Sequence, residues 1–323
     1  KIAQVEGKKQ RRDEALRLNE LGVQQFKRGE YREALNNFEQ ALVIEKQVGD
    51  KPVEATILNN IGNIYGSLGE YEQALYYFQQ ALAIDKQLGD KPGESITLNN
   101  IGNVYNTLGE YEQALDYFQQ ALAIAKQIGD KSGEGTTLNN IGFVYSSLGE
   151  YKKALNHYQQ ALAIKKQIGD KFVEGTIINN IGKVYNNLGE HKKALDYYQQ
   201  ALAITKQVGD KPGEGNTLNN IASLLKTQKQ PKLAIVFYKQ SVSTYEQIRK
   251  QLRTLPKQQQ ESYTKTVAST YRNLANLLIS QDRILEAQQV LDLLKIQELN
   301  DYLTQVRGSN QKLVILKPEE EIL

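Results

Sequence analysis

The sequence has no cysteine, no methionine and no tryptophan, and its only histidines are His157 and His191. Without a thiol there can be no disulfide framework, no Cys/His zinc site and no cysteine nucleophile. No run of about 18 apolar residues occurs, so nothing reads as a membrane-spanning helix, and no hydrophobic N-terminal stretch resembles a signal peptide. A cytoplasmic location is the expectation, with the N terminus read as truncated because the chain opens on Lys1. An excess of one charge is lacking too. The 40 Lys+Arg residues stand against 37 Asp+Glu, too even for a dedicated nucleic-acid binder, so neither nucleic acid nor membrane is an expected partner. Lys8, Lys9, Arg11 and Arg12 form the one basic cluster, read as a solvated leader over residues 1–12. No Gly-rich phosphate loop, metal-ligand spacing or Ser/His/Asp set can be assembled, so the expectation is no catalytic residue, no metal, no cofactor and no enzyme within this chain.

What the sequence has is a period. Gly62, Gly102, Gly142 and Gly182 recur every 40 residues, Gly22 extends the series backwards and Ala222 takes the next slot. Gly69, Gly109, Gly149 and Gly189 keep the same step, as do Ala74, Ala114, Ala154 and Ala194. Each unit parses as two helices, the first from about Glu54 to Ser67 and the second from about Tyr71 to Gln87. Leu58, Ile61, Gly62 and Tyr65 share one face of the first, and Ala74, Phe78, Ala81 and Leu82 one face of the second. Gly69 and Gly89 supply the left-handed residue that ends each helix, and Pro52, Pro92 and Pro212 open the next. Gly62 and Ala74 are small enough to let the two helices approach, with Tyr65 and Phe78 filling the space beside them. One such hairpin cannot bury its apolar face alone, so its neighbours must stack on it. The Tyr65, Tyr105, Tyr145 and Tyr185 series is expected to be packing rather than a stacking platform for bases, and His157 to lie on the outer surface.

Leu58, Ile61-Gly62, Tyr65, Gly69, Tyr71, Ala74, Phe78 and Ala81 resemble the tetratricopeptide repeat signature, and copies follow from Leu21-Gly22 to Ile181-Gly182. Degenerate sixth and seventh copies read through Ile221-Ala222 and Leu274-Ala275. The resemblance implies an all-α right-handed superhelical solenoid of about seven stacked hairpins. Its usual repeat is about 34 residues, and the longer copies here look like those of the kinesin light chain and Partner-of-Inscuteable branches. A second resemblance rests on Tyr245-Glu246-Gln247-Ile248-Arg249, Leu255-Pro256, Glu261-Ser262-Tyr263 and Leu285 to Lys295. These look like the segment preceding the caspase-like CHAT domain of cyanobacterial proteins, which implies a recognition arm whose protease lies downstream. The expected organisation is a leader over 1–12, an array over 13–250, a degenerate seventh repeat and capping helix over 251–307, and a linker over 308–323.

In such a solenoid the first helices line the concave wall. Just before each Ile-Gly stands an Asn pair: Asn59-Asn60, Asn99-Asn100, Asn139-Asn140, Asn179-Asn180 and Asn219-Asn220. Asn is a mediocre helix former, so its repetition inside helices calls for a second reason. A carboxamide offers two donors and two acceptor lone pairs, which match the N–H and C=O of an extended backbone. The resemblance to kinesin light chain implies that the pairs grip a peptide; the alternative is that they tie adjacent hairpins together, in a spacer or self-assembly module without a ligand. Asn63, Asn103 and Lys183 extend the candidate wall, Asn186 and Lys226 add to its later part, and Phe143 is a candidate apolar anchor. The expected partner is a protein or peptide, either external or the chain's own downstream domain.

Overall fold

The structure, a computed structural model, describes residues 2–28, 30–254 and 257–304. The described residues contain fourteen α-helices and no strand. In chain order they are α1 (Ile2–Lys27), α2 (Tyr31–Val48), α3 (Lys51–Leu68), α4 (Tyr71–Leu88), α5 (Lys91–Leu108), α6 (Tyr111–Ile128), α7 (Lys131–Ser147) and α8 (Tyr151–Ile168). There follow α9 (Lys171–Asn187), α10 (His191–Val208), α11 (Lys211–Thr227), α12 (Pro231–Gln251), α13 (Lys257–Ile279) and α14 (Ile284–Thr304). Two compact units divide the chain after Ile168, so that the first holds α1–α8 and the second α9–α14.

Local chemistry explains why the helices stop where they do. Gly69 takes φ +80° and Gly89 φ +69°, a region that costs an L side chain about 1 kcal/mol or more. Glu70 N–H then reaches back to Tyr65 C=O at 2.9 Å, closing the last turn of α3. The helices start earlier than the apolar pattern suggests. α3 begins at Lys51 rather than Glu54, because Pro52 is tolerated in the first turn, where an N–H is unpaired in any case. At the start of α5, Asp90 accepts from Gly93 N–H at 3.1 Å. The first-turn acids Glu54, Glu94 and Glu134 are buried, and each pairs with the lysine three residues before it at 2.7 Å.

Packing within a hairpin centres on the repeated glycine, with a correction to its role. A Cβ built on Gly62 would meet Phe78 Cε1 at 2.6 Å, and one on Gly102 would meet Phe118 Cε1 at 2.7 Å. The missing side chain is thus a seat for an aromatic ring, not simply a point of backbone approach. Tyr65 and Tyr77 stack beside it with centroids 5.4 Å apart, and Tyr105 and Tyr117 repeat the arrangement. His157 occupies this second ring position in α8. It stacks on Tyr145 at 5.4 Å and is half-buried, not on the outer surface as expected, and burial, with the charge of Lys126, lowers its pKa. The first helices of successive hairpins touch one another, α1 to α3, α3 to α5 and α5 to α7, while no successive pair of second helices comes as close. Within the first unit the first helices therefore form the inner, more crowded wall; α9 and α11 do so in the second.

The basic leader is not separate from the array. α1 runs unbroken from Ile2, and Arg12 pairs with Asp50 at 2.7 Å across the turn that opens α3. Lys8, Lys9 and Arg12 line a cavity of about 590 Å³ together with Val48 and Leu88. The expected linker over 308–323 lies outside the described residues.

One slot on the second helices carries buried polar groups that change from repeat to repeat: Glu45, Asp85, Lys165 and Thr205. Asp85 accepts from Thr97 Oγ1 at 2.9 Å. Glu45 meets Ile57 where Asp85 meets Thr97 in the sequence register, and both of its buried carboxylate oxygens lack a hydrogen-bond partner. Burial, with Asp50 and Glu54 nearby, raises its pKa against the opposing pull of Arg12. A raised carboxyl means that the folded chain holds a proton the unfolded chain releases. Its contribution is complete below the ordinary value of 4.5 and is lost as pH climbs through the folded value. Glu45→Gln should therefore raise the melting temperature at pH 7–8 and leave it unchanged near pH 4. A lower melting temperature for the variant at pH 8 would contradict this assignment.

Candidate functional site

The Asn pairs sit in the middle of the first helices, and every one of them is half-buried. Both members of a pair engage neighbours. Asn59 Nδ2 donates to Thr97 Oγ1 at 2.6 Å, and Asn99 Nδ2 donates to Thr137 Oγ1 at 2.7 Å and to its own Ser95 C=O at 3.4 Å. The second member reaches the opposite way: Asn60 Nδ2 donates to Asn19 Oδ1 at 3.1 Å and Asn100 Nδ2 to Asn59 Oδ1 at 3.3 Å. In the second unit Asn220 Nδ2 donates to Asn179 Oδ1 at 2.9 Å, and Asn219 Oδ1 accepts from Thr270 at 3.0 Å. Thr97 and Thr137 are the partners that the sequence reading missed. Their position two residues before a pair was the available signal. The carboxamides form a ladder whose rungs join adjacent hairpins within each unit.

One rung differs. Asn139 Nδ2 points to Asn140 Oδ1, 3.5 Å away, and Asn99 Oδ1 is buried with no hydrogen-bond partner.

Outside the ladder, the first helices of the first unit present Thr56, Asn63 and Ser67 on α3, Ile96, Asn103 and Thr107 on α5, and Thr136, Phe143 and Ser147 on α7. Asn63 is half-buried and the other eight are exposed. Ile96 is 58% and Phe143 42% exposed. In the second unit Lys183 is exposed, and desolvation by the protein around it lowers its pKa. Asn180 is half-buried beside it. Asn186 departs from this face. It lies four residues after Gly182, in the slot that in α3 turns Gly66 towards Ala74 of the paired helix, and its Oδ1 is buried without a partner. Lys226 has the same slot in α11 and is exposed. Among the described residues no group of three or more His, Cys, Asp or Glu could hold a metal ion, and no helix is long and apolar enough to cross a membrane.

The model of the tetratricopeptide repeat family matches residues 13–87, 93–167 and 174–247, more than half of the chain. The chain belongs to the tetratricopeptide repeat family. No curated protein is similar enough in sequence to stand as a relative. Among solved structures, this tetratricopeptide chain is similar to aspartyl phosphate phosphatase F from Bacillus subtilis, at 18% identity over 96% of this chain and 76% of that one, with a TM-score of 0.64. A Rap protein complexed with competence and sporulation factor is similar at 19% identity over 85% and 76% of the two chains, TM-score 0.59. The kinesin light chain repeats of Podosopora anserina are similar at 17% identity over 60% and 95%, TM-score 0.50. At such identities these structures support the fold alone, and the all-α repeat architecture read from the sequence stands. The tetratricopeptide scaffold is one typical of protein–protein interaction.

Proposed function

We propose that this chain is a protein- or peptide-binding scaffold that holds an extended segment along the first-helix wall, in part through its Asn side chains. The observation that carries the reading is that wall itself, a row of exposed or half-buried hydroxyls and carboxamides on α3, α5 and α7 with apolar side chains standing out from it. Such groups can pair with a backbone whatever its side chains are, and the apolar positions add anchors. The Rap protein of similar fold, in complex with competence and sporulation factor, is consistent with this use of the fold. We further propose that the array is the recognition arm of a CHAT-type protein of cyanobacterial kind, with any protease activity in a domain beyond Leu323 and with that domain as an occupant of the wall. That part rests on the sequence resemblance around Tyr245–Arg249 and Leu285–Lys295.

A spacer or self-assembly module is the second reading, favoured by the rungs that the array closes on itself, such as Asn100 to Asn59. Panning a phage-displayed library of random twelve-residue peptides on the full chain separates the two. The scaffold reading expects enriched peptides whose affinity falls at least tenfold on Asn103→Arg, an exposed position, with the melting temperature held. Failure to enrich any sequence, or equal binding to Asn103→Arg, would favour the spacer.

A further inference from the structure

We propose that the cavity between the start of α1 and the turn joining α2 to α3 is a binding site for a small phosphate monoester that carries an apolar body. The inference is independent of the scaffold reading, since the residues that line the cavity are not those of the Asn wall.

What sets this turn apart is the length of α1. The later first helices open on the lysine of a Gly-Asp-Lys turn, as α3 does at Lys51 and α5 at Lys91, whereas α1 begins nine residues before the corresponding Arg11. The extension brings Lys8 and Lys9 to the turn, where they line a cavity of about 590 Å³ with Arg12 and Lys51. That volume is in the range of small-molecule sites. Val48, at the end of α2, also lines the cavity and is buried, while its counterparts Leu88, Ile128 and Ile168 at the ends of α4, α6 and α8 are exposed.

The lining sets the ligand's chemistry. Two of the four cations are already matched, Arg12 by Asp50 and Lys51 by Glu54, each at 2.7 Å. Lys8 and Lys9 are exposed and have no ion-pair partner among the described residues. Two spare ammonium groups match the charge of a phosphate monoester, about −1.5 to −2 at pH 7. Arg12 has a second effect. With the Asp50 carboxylate on Arg12, α3 has no side-chain cap, whereas Asp90, Asp130 and Asp210 accept from the N–H three residues on at 3.1, 2.9 and 2.9 Å. The positive end of α3, whose first residues Lys51 and Pro52 line the cavity, is thus left without its own carboxylate, and a phosphate oxygen can take that place. Val48, Pro52 and Leu88 give the cavity an apolar side that a bare anion would leave uncovered. The ligand that fits joins a phosphate to an apolar or aromatic body.

Pyridoxal phosphate is a suitable probe. It is a phosphate monoester on an aromatic ring, and its aldehyde condenses with a nearby lysine amine, losing water, to an imine that borohydride reduces in place. The full chain, labelled at limiting reagent and mapped by peptide mass spectrometry, should carry the label on Lys8 or Lys9 about tenfold more than on Lys152 or Lys192, which are also exposed. Pyridoxal, which lacks the phosphate, should label the two groups alike, and 1-naphthyl phosphate should protect Lys8 and Lys9 but not Lys152. Arg12→Gln frees the Asp50 carboxylate to cap α3, so the preference should fall several-fold with helicity kept. Equal labelling of Lys8, Lys9 and Lys152, or a preference that survives with pyridoxal, would overturn the proposal. Protection by inorganic phosphate as complete as that by 1-naphthyl phosphate would overturn the apolar half of it. Equal protection by a phosphoserine peptide would assign the cavity to a phosphorylated protein and overturn the small-molecule reading.

Discussion

Glu246→Ala should lower the stability of the C-terminal hairpins by about 3–5 kcal/mol, the cost of leaving a buried ion without its partner. Glu246 is buried on α12 and holds two groups at once. Its carboxylate pairs with Arg249, one turn later on the same helix, and accepts from Tyr271 Oη of α13 at 2.6 Å. Arg249 in turn donates to Leu293 C=O of α14 at 2.9 Å. Burial, together with the Glu246 carboxylate, pushes the Tyr271 phenol well above its usual range, so it stays a donor at any physiological pH. Three helices thus share one polar knot. Glu246→Gln keeps an acceptor for Tyr271 and loses only the charge, so it should cost less than the alanine. Hydrogen exchange is the suitable measurement, because repeat arrays need not melt in one step. Amides of α12–α14 should exchange faster while those of α3–α7 keep their protection. An alanine variant with unchanged protection in α13 would show that the knot does not hold the hairpin.

Phe118→Ala should cost a similar amount, about 3–5 kcal/mol, by emptying the seat over Gly102. The ring is fully buried and stands where a Cβ on residue 102 would lie, 2.7 Å from Cε1. Gly102→Ala alone should therefore destabilise by about 1–3 kcal/mol through overpacking, despite the better helix propensity of alanine. On the Phe118→Ala background the same change should be neutral or stabilising, since the clash is gone and the propensity gain of about 1 kcal/mol remains. Chemical denaturation of the four members of this cycle checks it. Additive costs would mean that the glycine is there for another reason.

The hairpins were legible because their signals are local and repeated. Gly62 with Phe78, and Gly69 with its positive φ, act within a few residues or one hairpin, so each copy restates the same physics. The ladder was only half legible. Repetition announced that Asn59 and Asn60 mattered, but a copied residue looks the same whether it faces a ligand or the next copy. Its partner Thr97 lies 38 residues on. The leader misled because the apolar pattern fades before Asp13, whereas helix continuation needs only the absence of a breaker. Gly7 sits inside α1 with nothing near it. The Tyr245–Arg249 stretch was read as the mark of a neighbouring domain. Its side chains Tyr245, Glu246 and Arg249 are engaged within the second unit, Tyr245 Oη with Asn216 at 2.8 Å and the other two in the knot. A motif retained for packing and one retained for a partner cannot be told apart by residue type.

The ladder's spacing has a consequence for how such a chain can change length. Between α3 and α5 its bonds join residues 38 and 41 positions apart, so these two copies meet through a pair of handshakes, and each spacing recurs at one neighbouring junction. Duplicating the forty-residue block of α5 and α6 in the gene, a frequent accident between near-identical tracts, places Thr97 and Asn100 copies where both handshakes can form again at the new junction. The wall can therefore lengthen in whole steps without a misfolded intermediate design. The differing rung at Asn99 and Asn140 would travel as a movable mark, its distance from either end reset by each event.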